Sequence, residues 1–256
     1  MRITKFALLG ALSVVSASLA SAADLPPRPA PPPIVRAPEI VEPFVIWTGF
    51  YLGAHGGWAG GTADYTFLTN DHYNNTAGET ASQSLSGGMA GGHIGFNWQW
   101  GNFLVGLEGS GDWSGVKKAD ASPFFPLTDT WTTKVKWLAT ITPRIGVTAS
   151  NWLFYAKGGV VFASIFNRLE DNIDFVEDTV TRTGWTAGGG IEVMLTPSWI
   201  LGVEGNYYDF GKFNVNQFST LVSGGPATYG TDHDLHTTMW SVLGRVSYKF
   251  GGPGRY

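Results

Sequence analysis

After residue 46 the chain falls into runs in which apolar residues alternate with polar or very small ones. In Phe103-Leu104-Val105-Gly106-Leu107-Glu108-Gly109-Ser110-Gly111-Asp112-Trp113 one parity reads Phe, Val, Leu, Gly, Gly, Trp and the other Leu, Gly, Glu, Ser, Asp. A period of two is the signature of a strand with two unlike faces. Eight strands are predicted, near 47–59, 88–99, 103–113, 131–148, 153–164, 183–195, 199–211 and 237–250. Trp100-Gly101-Asn102, Ala149-Ser150-Asn151-Trp152 and Thr196-Pro197-Ser198 supply three tight connections, and the polar stretches 60–87, 114–130, 165–182 and 212–236 supply four long loops. Short turns at one end and long loops at the other predict an all-β fold, an eight-stranded antiparallel up-and-down transmembrane outer-membrane barrel.

Parity also predicts facing. Ala90, Gly92, Ile94, Phe96 and Trp98 are expected toward lipid, with Gly91, His93, Gly95, Asn97 and Gln99 inside. Over 131–148, Val135, Trp137, Ala139, Ile141, Ile145 and Val147 are assigned outward and Lys134, Lys136, Thr140, Thr142 and Arg144 inward. Trp185, Ala187, Ile191, Val193 and Leu195 point out, with Glu192 in. Trp240, Val242, Val246, Tyr248 and Phe250 point out, against Ser241, Arg245, Ser247 and Lys249. A lipid-facing charge near the bilayer midplane costs about 2–4 kcal/mol, and this assignment avoids it. A soluble calyx or sandwich also alternates, but its apolar parity lines a core. Here the polar parity carries the charges and tiny residues, and the other carries bulky aromatics near the strand ends, as interfacial Trp and Tyr do.

Counting from the tight turns assigns depth. His93 and Glu108 lie about seven positions either side of the first turn, Arg144 meets Lys157 across the second, and Glu192 meets Glu204 across the third. Arg245 lies five residues before Phe250, at a comparable depth. His93, Glu108, Arg144, Lys157, Glu192, Glu204 and Arg245 thus form a candidate luminal charge network. The pairs Arg144–Lys157 and Glu192–Glu204 are like-charged, so each requires opposite charge from elsewhere in the lumen. Such a network serves either as an ion-selective constriction or proton-sensitive plug, or as a hydrated salt-bridge core. Eight strands leave room for little beyond packed side chains, which favours the core and restricts permeability to weak leakage of small ions.

The amino terminus sets the compartment. Arg2 and Lys5 precede a mainly apolar run from Phe6 to Leu19 and the small-x-small triplet Ala20-Ser21-Ala22, so residues 1–22 are expected to be a removed signal peptide. Residues 23–46 follow as a periplasmic leader, with eight of the 14 prolines between Pro26 and Pro43, too poor in N–H donors for a ladder. Residues 47–250 are assigned to the barrel and 251–256 to a short carboxyl-terminal extension. Loss of Arg2 and Lys5 takes the formal charge from -4 to -6, and no basic stripe suits nucleic acid. Gly at 35 and Trp at 11 are high for a soluble globule, and the absence of cysteine excludes disulfides, thiolate-held metals and thiol catalysis.

No enzyme constellation stands out. Of the five histidines, His55 and His93 face inward by parity and His72, His233 and His236 are placed in loops. Asp232-His233-Asp234-Leu235-His236 matches no established metal spacing. The glycine runs 87–92 and 188–190 lack the Lys-Ser/Thr of a phosphate loop. No catalytic, cofactor-binding or metal residue is assigned, and no cofactor is expected. Tyr73, Asn74, Asn75, Phe124, Phe125, Phe213 and Tyr229 give the long loops polar and aromatic contacts for a surface receptor. Loop-mediated adhesion is the main alternative function, and a lipid-modifying enzyme a weaker one.

Several separated segments resemble one family. Ala-Ala-Asp-Leu-Pro at 22–26 and Trp47-Thr48-Gly49-Phe50-Tyr51-Leu52-Gly53 are similar to the alpha-proteobacterial outer-membrane immunogenic proteins, porin-like β-barrels related to RopB. Gly88-Met89-Ala90-Gly91-Gly92-His93-Ile94-Gly95-Phe96-Asn97, Leu104-Val105-Gly106-Leu107-Glu108-Gly109, Tyr155-Ala156-Lys157-Gly158-Gly159-Val160 and Gly184-Trp185-Thr186-Ala187-Gly188-Gly189-Gly190-Ile191-Glu192 correspond to its strand signatures. The resemblance implies residence in a Gram-negative outer membrane, a surface-exposed antigenic role and support for envelope integrity, with no enzymatic reaction. Some similar proteins are linked to haem, but no motif here transfers that property. The expected partners are outer-membrane lipids and lipopolysaccharide, the barrel assembly machinery and an unnamed surface receptor, with the barrel itself a monomer.

Overall fold

Alternating runs in this chain pair edge to edge around a complete ring. The computed structural model describes residues 45–251 apart from 71, 72, 222 and 224, and the side chains of 217–219 and 226–230 are likewise outside the described set. The expected signal peptide, the expected leader up to residue 44 and residues 252–256 of the expected extension therefore lie outside it. The described strands are β1 (Gly49–Phe67), β2 (Thr80–Trp100), β3 (Phe103–Ser114), β4 (Lys117–Ala121), β5 (Thr130–Ala149), β6 (Trp152–Glu170), β7 (Asp174–Met194), β8 (Trp199–Leu221) and β9 (Pro226–Lys249). All pairings are antiparallel, and β1 pairs with both β2 and β9, which closes the sheet. β4 resumes the line of β3 beyond Gly115 and Val116, since both pair with β2 and with β5. Nine strands thus make eight staves.

A belt of exposed apolar side chains surrounds the end with the short turns. Nine of the 11 tryptophans are exposed, and they form two rows. Trp98, Trp100, Trp152 and Trp199 lie beside the turns, and Trp58, Trp113, Trp137, Trp185 and Trp240 lie farther up the staves. Phe103 to Trp113 spans the belt on β3, and Trp240 to Phe250 spans it on β9 and the residue that follows it. At about 3.3 Å per residue and a tilt near 40°, ten steps rise roughly 25 Å, the height of an outer-membrane apolar band. The staves are built to cross a membrane there.

The strands run well past the upper tryptophan row. Residues assigned above to long loops are mostly strand, and the described connections shrink to 68–79, 122–129, 171–173 and 222–225. The alternation continues with its chemistry inverted. Thr62, Asp64, Thr66, Ser82, Ser84 and Ser86 face outward, while Tyr65, Phe67, Leu85, Trp131, Ile165, Leu169, Val176, Phe213, Val215 and Leu235 fill the interior. Ser-, Thr- and Asp-rich composition is ordinary for a loop and equally ordinary for the wet face of a strand. The barrel therefore has a lower storey with lipid outside and an upper storey built like a water-soluble protein.

Two irregularities reshape the wall. A bulge in β5 shifts its register against β6 between Val135 and Trp137. Val135 is consequently buried inside, and Lys134 and Lys136 are exposed outside, the reverse of the facing expected from strict parity. The extra residue at a bulge re-aims every side chain beyond it. Higher up, β7 and β8 pair at Asp174↔Leu221 and Phe175↔Thr220 and again from Trp185↔Asp209 downward, with no ladder pair between among the described residues. β8 shifts register against β9 between Asp209 and Lys212, where Gly211 adopts φ 66°. That bulge bends β8 and interrupts its ladder with β7 above Trp185 and Asp209, where Arg182 of β7 lies 3.7 Å from the Phe213 ring centre of β8.

Candidate functional site

The charge cluster of the lower lumen is assembled from inward residues of six staves. Glu108 (β3), Arg144 (β5), Lys157 (β6), Glu192 (β7), Glu204 (β8) and Arg245 (β9) meet in one cluster of three carboxylates and three cations. Arg144 contacts Glu108 at 3.3 Å and Glu192 at 2.9 Å. Lys157 contacts Glu108 at 3.1 Å and Glu204 at 2.6 Å. Arg245 reaches Glu108 at 2.5 Å and Glu192 at 3.2 Å and also pairs with Glu204. The Arg144 side chain is 0% exposed. In so dry a site each charge depends on the others.

Tyrosines that sequence reasoning did not single out complete the cluster. Tyr51 donates to Glu108 Oε2 at 2.9 Å and Tyr155 to Glu204 Oε2 at 2.5 Å. The Arg144 guanidinium lies 5.1 Å from the Tyr51 ring centre and 4.4 Å from that of Tyr155. The signal available was a tyrosine on the otherwise polar parity, as in Tyr51-Gly53-His55 and Tyr155-Lys157-Gly159.

The register differs from simple counting at two of the three turns. Arg144 does face Lys157, and Glu108 bridges this like-charged pair. His93, however, faces Ser110, Glu108 faces Gly95, and Glu192 faces Gly202. Gly202 also faces Arg245, and a Cβ there would sit 2.8 Å from Glu192 Cγ and 3.2 Å from Arg245 Cγ. The missing side chain lets two long charged residues lie flat across the lumen.

His93 stands apart from the ion pairs. Its Nδ1 lies 3.0 Å from Nδ1 of His55, whose Nε2 lies 2.5 Å from Asp112. His93 Nε2 lies 2.8 Å from the Ser247 hydroxyl. Because an ionised carboxylate only accepts, neutral rings order the bonds one way: Ser247 donates to His93, His93 to His55, and His55 to Asp112. A polar gap beside His55, Asp112, Thr140 and Lys157 has about 10 Å³ for a water centre, room for roughly one water.

Apolar layers close the lumen below and above. At the turn end Trp47 is fully buried with Leu104, Leu153, Tyr155, Met194 and Ile200, and its backbone N–H donates to Gln99 Oε1 at 2.7 Å. Trp47 precedes β1, so it is a plug below the first strand and not its opening residue. In the upper storey Tyr73, Asn74 and Phe213 are buried and Phe124 packs partly buried against the same core, so these four supply little of the surface contact expected of them. His233 and His236 lie on β9, where alternation sends His233 inside and leaves Asp232, Asp234 and His236 outside, too divided for one ion. Burial between Tyr65 and Phe67 holds the His233 imidazole down to about 4. Its Nε2 has no hydrogen-bond partner among the described residues.

A model of the outer membrane protein β-barrel domain matches residues 7–250. The 31 kDa outer-membrane immunogenic protein of Brucella melitensis is 32% identical over 220 residues, covering 82% of this chain and 89% of that protein. The 25 kDa outer-membrane immunogenic protein of Brucella abortus is 28% identical over 190 residues, covering 74% and 78%. The crystal structure of the outer membrane protein OprG from Pseudomonas aeruginosa is 13% identical with a TM-score of 0.45, covering 80% of this chain and 97% of that one.

Proposed function

Because the chain belongs to the outer membrane protein β-barrel family and to its outer-membrane immunogenic branch, we propose that it is a sealed structural barrel of the envelope, holding a rigid polar-walled storey above the cell surface. The observation that carries this reading is the stack inside the lumen. An apolar plug around Trp47, a charge-neutral six-residue cluster and an aromatic core lie one above another. An ion crossing it would have to break buried pairs and enter two apolar layers, and each step is strongly unfavourable. The luminal charges serve as the core of the fold, with permeation excluded. In this reading the long-loop end faces outside the cell, since outer-membrane barrels place short turns in the periplasm.

The test is conductance of the refolded barrel in planar bilayers beside detergent permeability of cells carrying and lacking the gene. No stepwise opening, with an envelope weakened on deletion, is expected. Steady ion-selective conductance from the unmodified barrel would overturn the sealed reading.

A further inference from the structure

The bulge in β5 does more than interrupt a ladder. It turns Lys134 and Lys136 outward just above the upper tryptophan row, next to Trp137, whose cross-strand partner is Trp113. Directly opposite Lys134 in the ladder stands Lys117 of β4. Like charges facing each other across two strands are destabilising unless an anion lies between them. None of these three lysines has an ion pair among the described residues, whereas Lys118 is held by Asp120 at 3.0 Å and Arg168 by Glu170 and Glu177 at 2.9 and 3.1 Å. Lys136 also lies 5.0 Å from the Phe166 ring centre and donates to Thr179 Oγ1 at 3.2 Å, which fixes its direction along the wall. The opposite wall is mainly acidic, with Asp64, Asp209, Asp232 and Asp234 outnumbering Lys212 on β1, β8 and β9.

We propose that Lys117, Lys134 and Lys136 form a docking site for the phosphorylated headgroup of lipid A in the outer leaflet. This rests on the reading that puts the long-loop end outside the cell. Depth selects the lipid over a free anion. Tryptophan girdles mark the membrane–water interface, and Lys136 is adjacent to Trp137 in sequence. Lys134, a few residues farther, falls in the headgroup zone. Below them Trp137, Ile141 and Val160 offer an exposed apolar wall for acyl chains. One lipid can thus satisfy phosphate and acyl contacts on the same staves, which inorganic phosphate cannot.

The experiment titrates the refolded, detergent-solubilised full barrel with bisphosphorylated lipid A and follows bound lipid by native mass spectrometry. K117Q/K134Q/K136Q is expected to weaken binding tenfold or more, since each lysine contributes a separate increment to an anionic surface. K118Q is expected to change it less than twofold. Dephosphorylated lipid A should bind the unmodified barrel no better than phosphorylated lipid A binds the triple variant, and equimolar pyrophosphate should not displace the lipid. Unchanged binding by the triple variant overturns the site. Displacement by equimolar pyrophosphate overturns the lipid assignment and leaves a simple anion site. Heat-shifted gel mobility checks folding; should the triple variant fail it, K134Q alone is read, with a threefold loss supporting the site and none overturning it. Binding to purified barrel does not depend on orientation in the cell, so a wrong orientation shows up separately in surface labelling.

Discussion

Replacing Arg245 by Met tests how far the luminal cluster acts as one unit. Arg245 touches all three carboxylates of the cluster, Glu108, Glu192 and Glu204. A unit pair about 3 Å apart is worth roughly 5 kcal/mol of attraction at an effective dielectric near 20, before desolvation is set against it. Removing one partner of a buried pair has a net effect of about 3–5 kcal/mol. The lower end applies here, because Glu192 keeps Arg144 at 2.9 Å and Glu204 keeps Lys157 at 2.6 Å. R245M should therefore destabilise the barrel by about 3 kcal/mol, leaving three carboxylates against two cations. E204Q alone leaves the opposite imbalance and should cost about 2–3 kcal/mol by the same reasoning. R245M/E204Q restores neutrality, so its loss should fall short of the sum by about 2 kcal/mol. Urea unfolding of the refolded protein in lipid vesicles, followed by tryptophan emission and gel mobility, measures all three. Additivity within about 0.5 kcal/mol, or an R245M loss under about 1 kcal/mol, would refute the coupled cluster.

Three further outcomes are expected. His233 is buried with its acidity shifted to about 4 from 6.5, so the unfolded state binds its proton first. Its contribution is complete above about pH 6.5 and is lost as the pH falls toward 4, at most about 3 kcal/mol; hydrogen exchange in upper β9 should accelerate at pH 4.5, and H233F should remove that acceleration. Amides of 176–184 that point toward β8 have no ladder partner among the described residues and should exchange faster than those of lower β7, where β8 is paired; equal protection would refute the interrupted ladder. The chain has no cysteine, so N75C should be labelled from outside intact cells and N102C should not, and the reverse pattern would invert the barrel.

Legibility followed polarity. In the lower storey the two faces differ as sharply as lipid differs from a charged lumen, and the strands there lie close to where alternation predicts them. The upper storey alternates just as strictly, but Asp64, Ser82, Ser84 and Thr66 on its wet face imitate loop composition, and its apolar positions, such as Tyr65, Leu85 and Leu235, are spaced too thinly to announce a core. The luminal residues were visible as charges on the inward parity. Their partners were not, because the first and third turns are displaced from the centres that counting assumes, and long side chains reach past their ladder neighbours over glycines such as Gly202. No local feature of Thr133-Lys134-Val135-Lys136-Trp137 signals the bulge, so the lysines were assigned to the wrong face.

The inversion of polarity between storeys constrains the order of assembly. In the proposed orientation each hairpin tip has to carry charged side chains such as Asp64, Lys134, Arg168 and Asp234 through the hydrocarbon before it reaches water again. While it crosses, the inward apolar residues of the same tip have no partners, because their core exists only once all the tips have met on the far side. The upper storey is then expected to follow closure and not to template it. In the proposed orientation, closure is expected to proceed from the tight turns outward, driven by ladder bonds and charge neutralisation in the lower lumen. The tips then collapse last, as a small water-soluble domain that folds in place on a finished foundation.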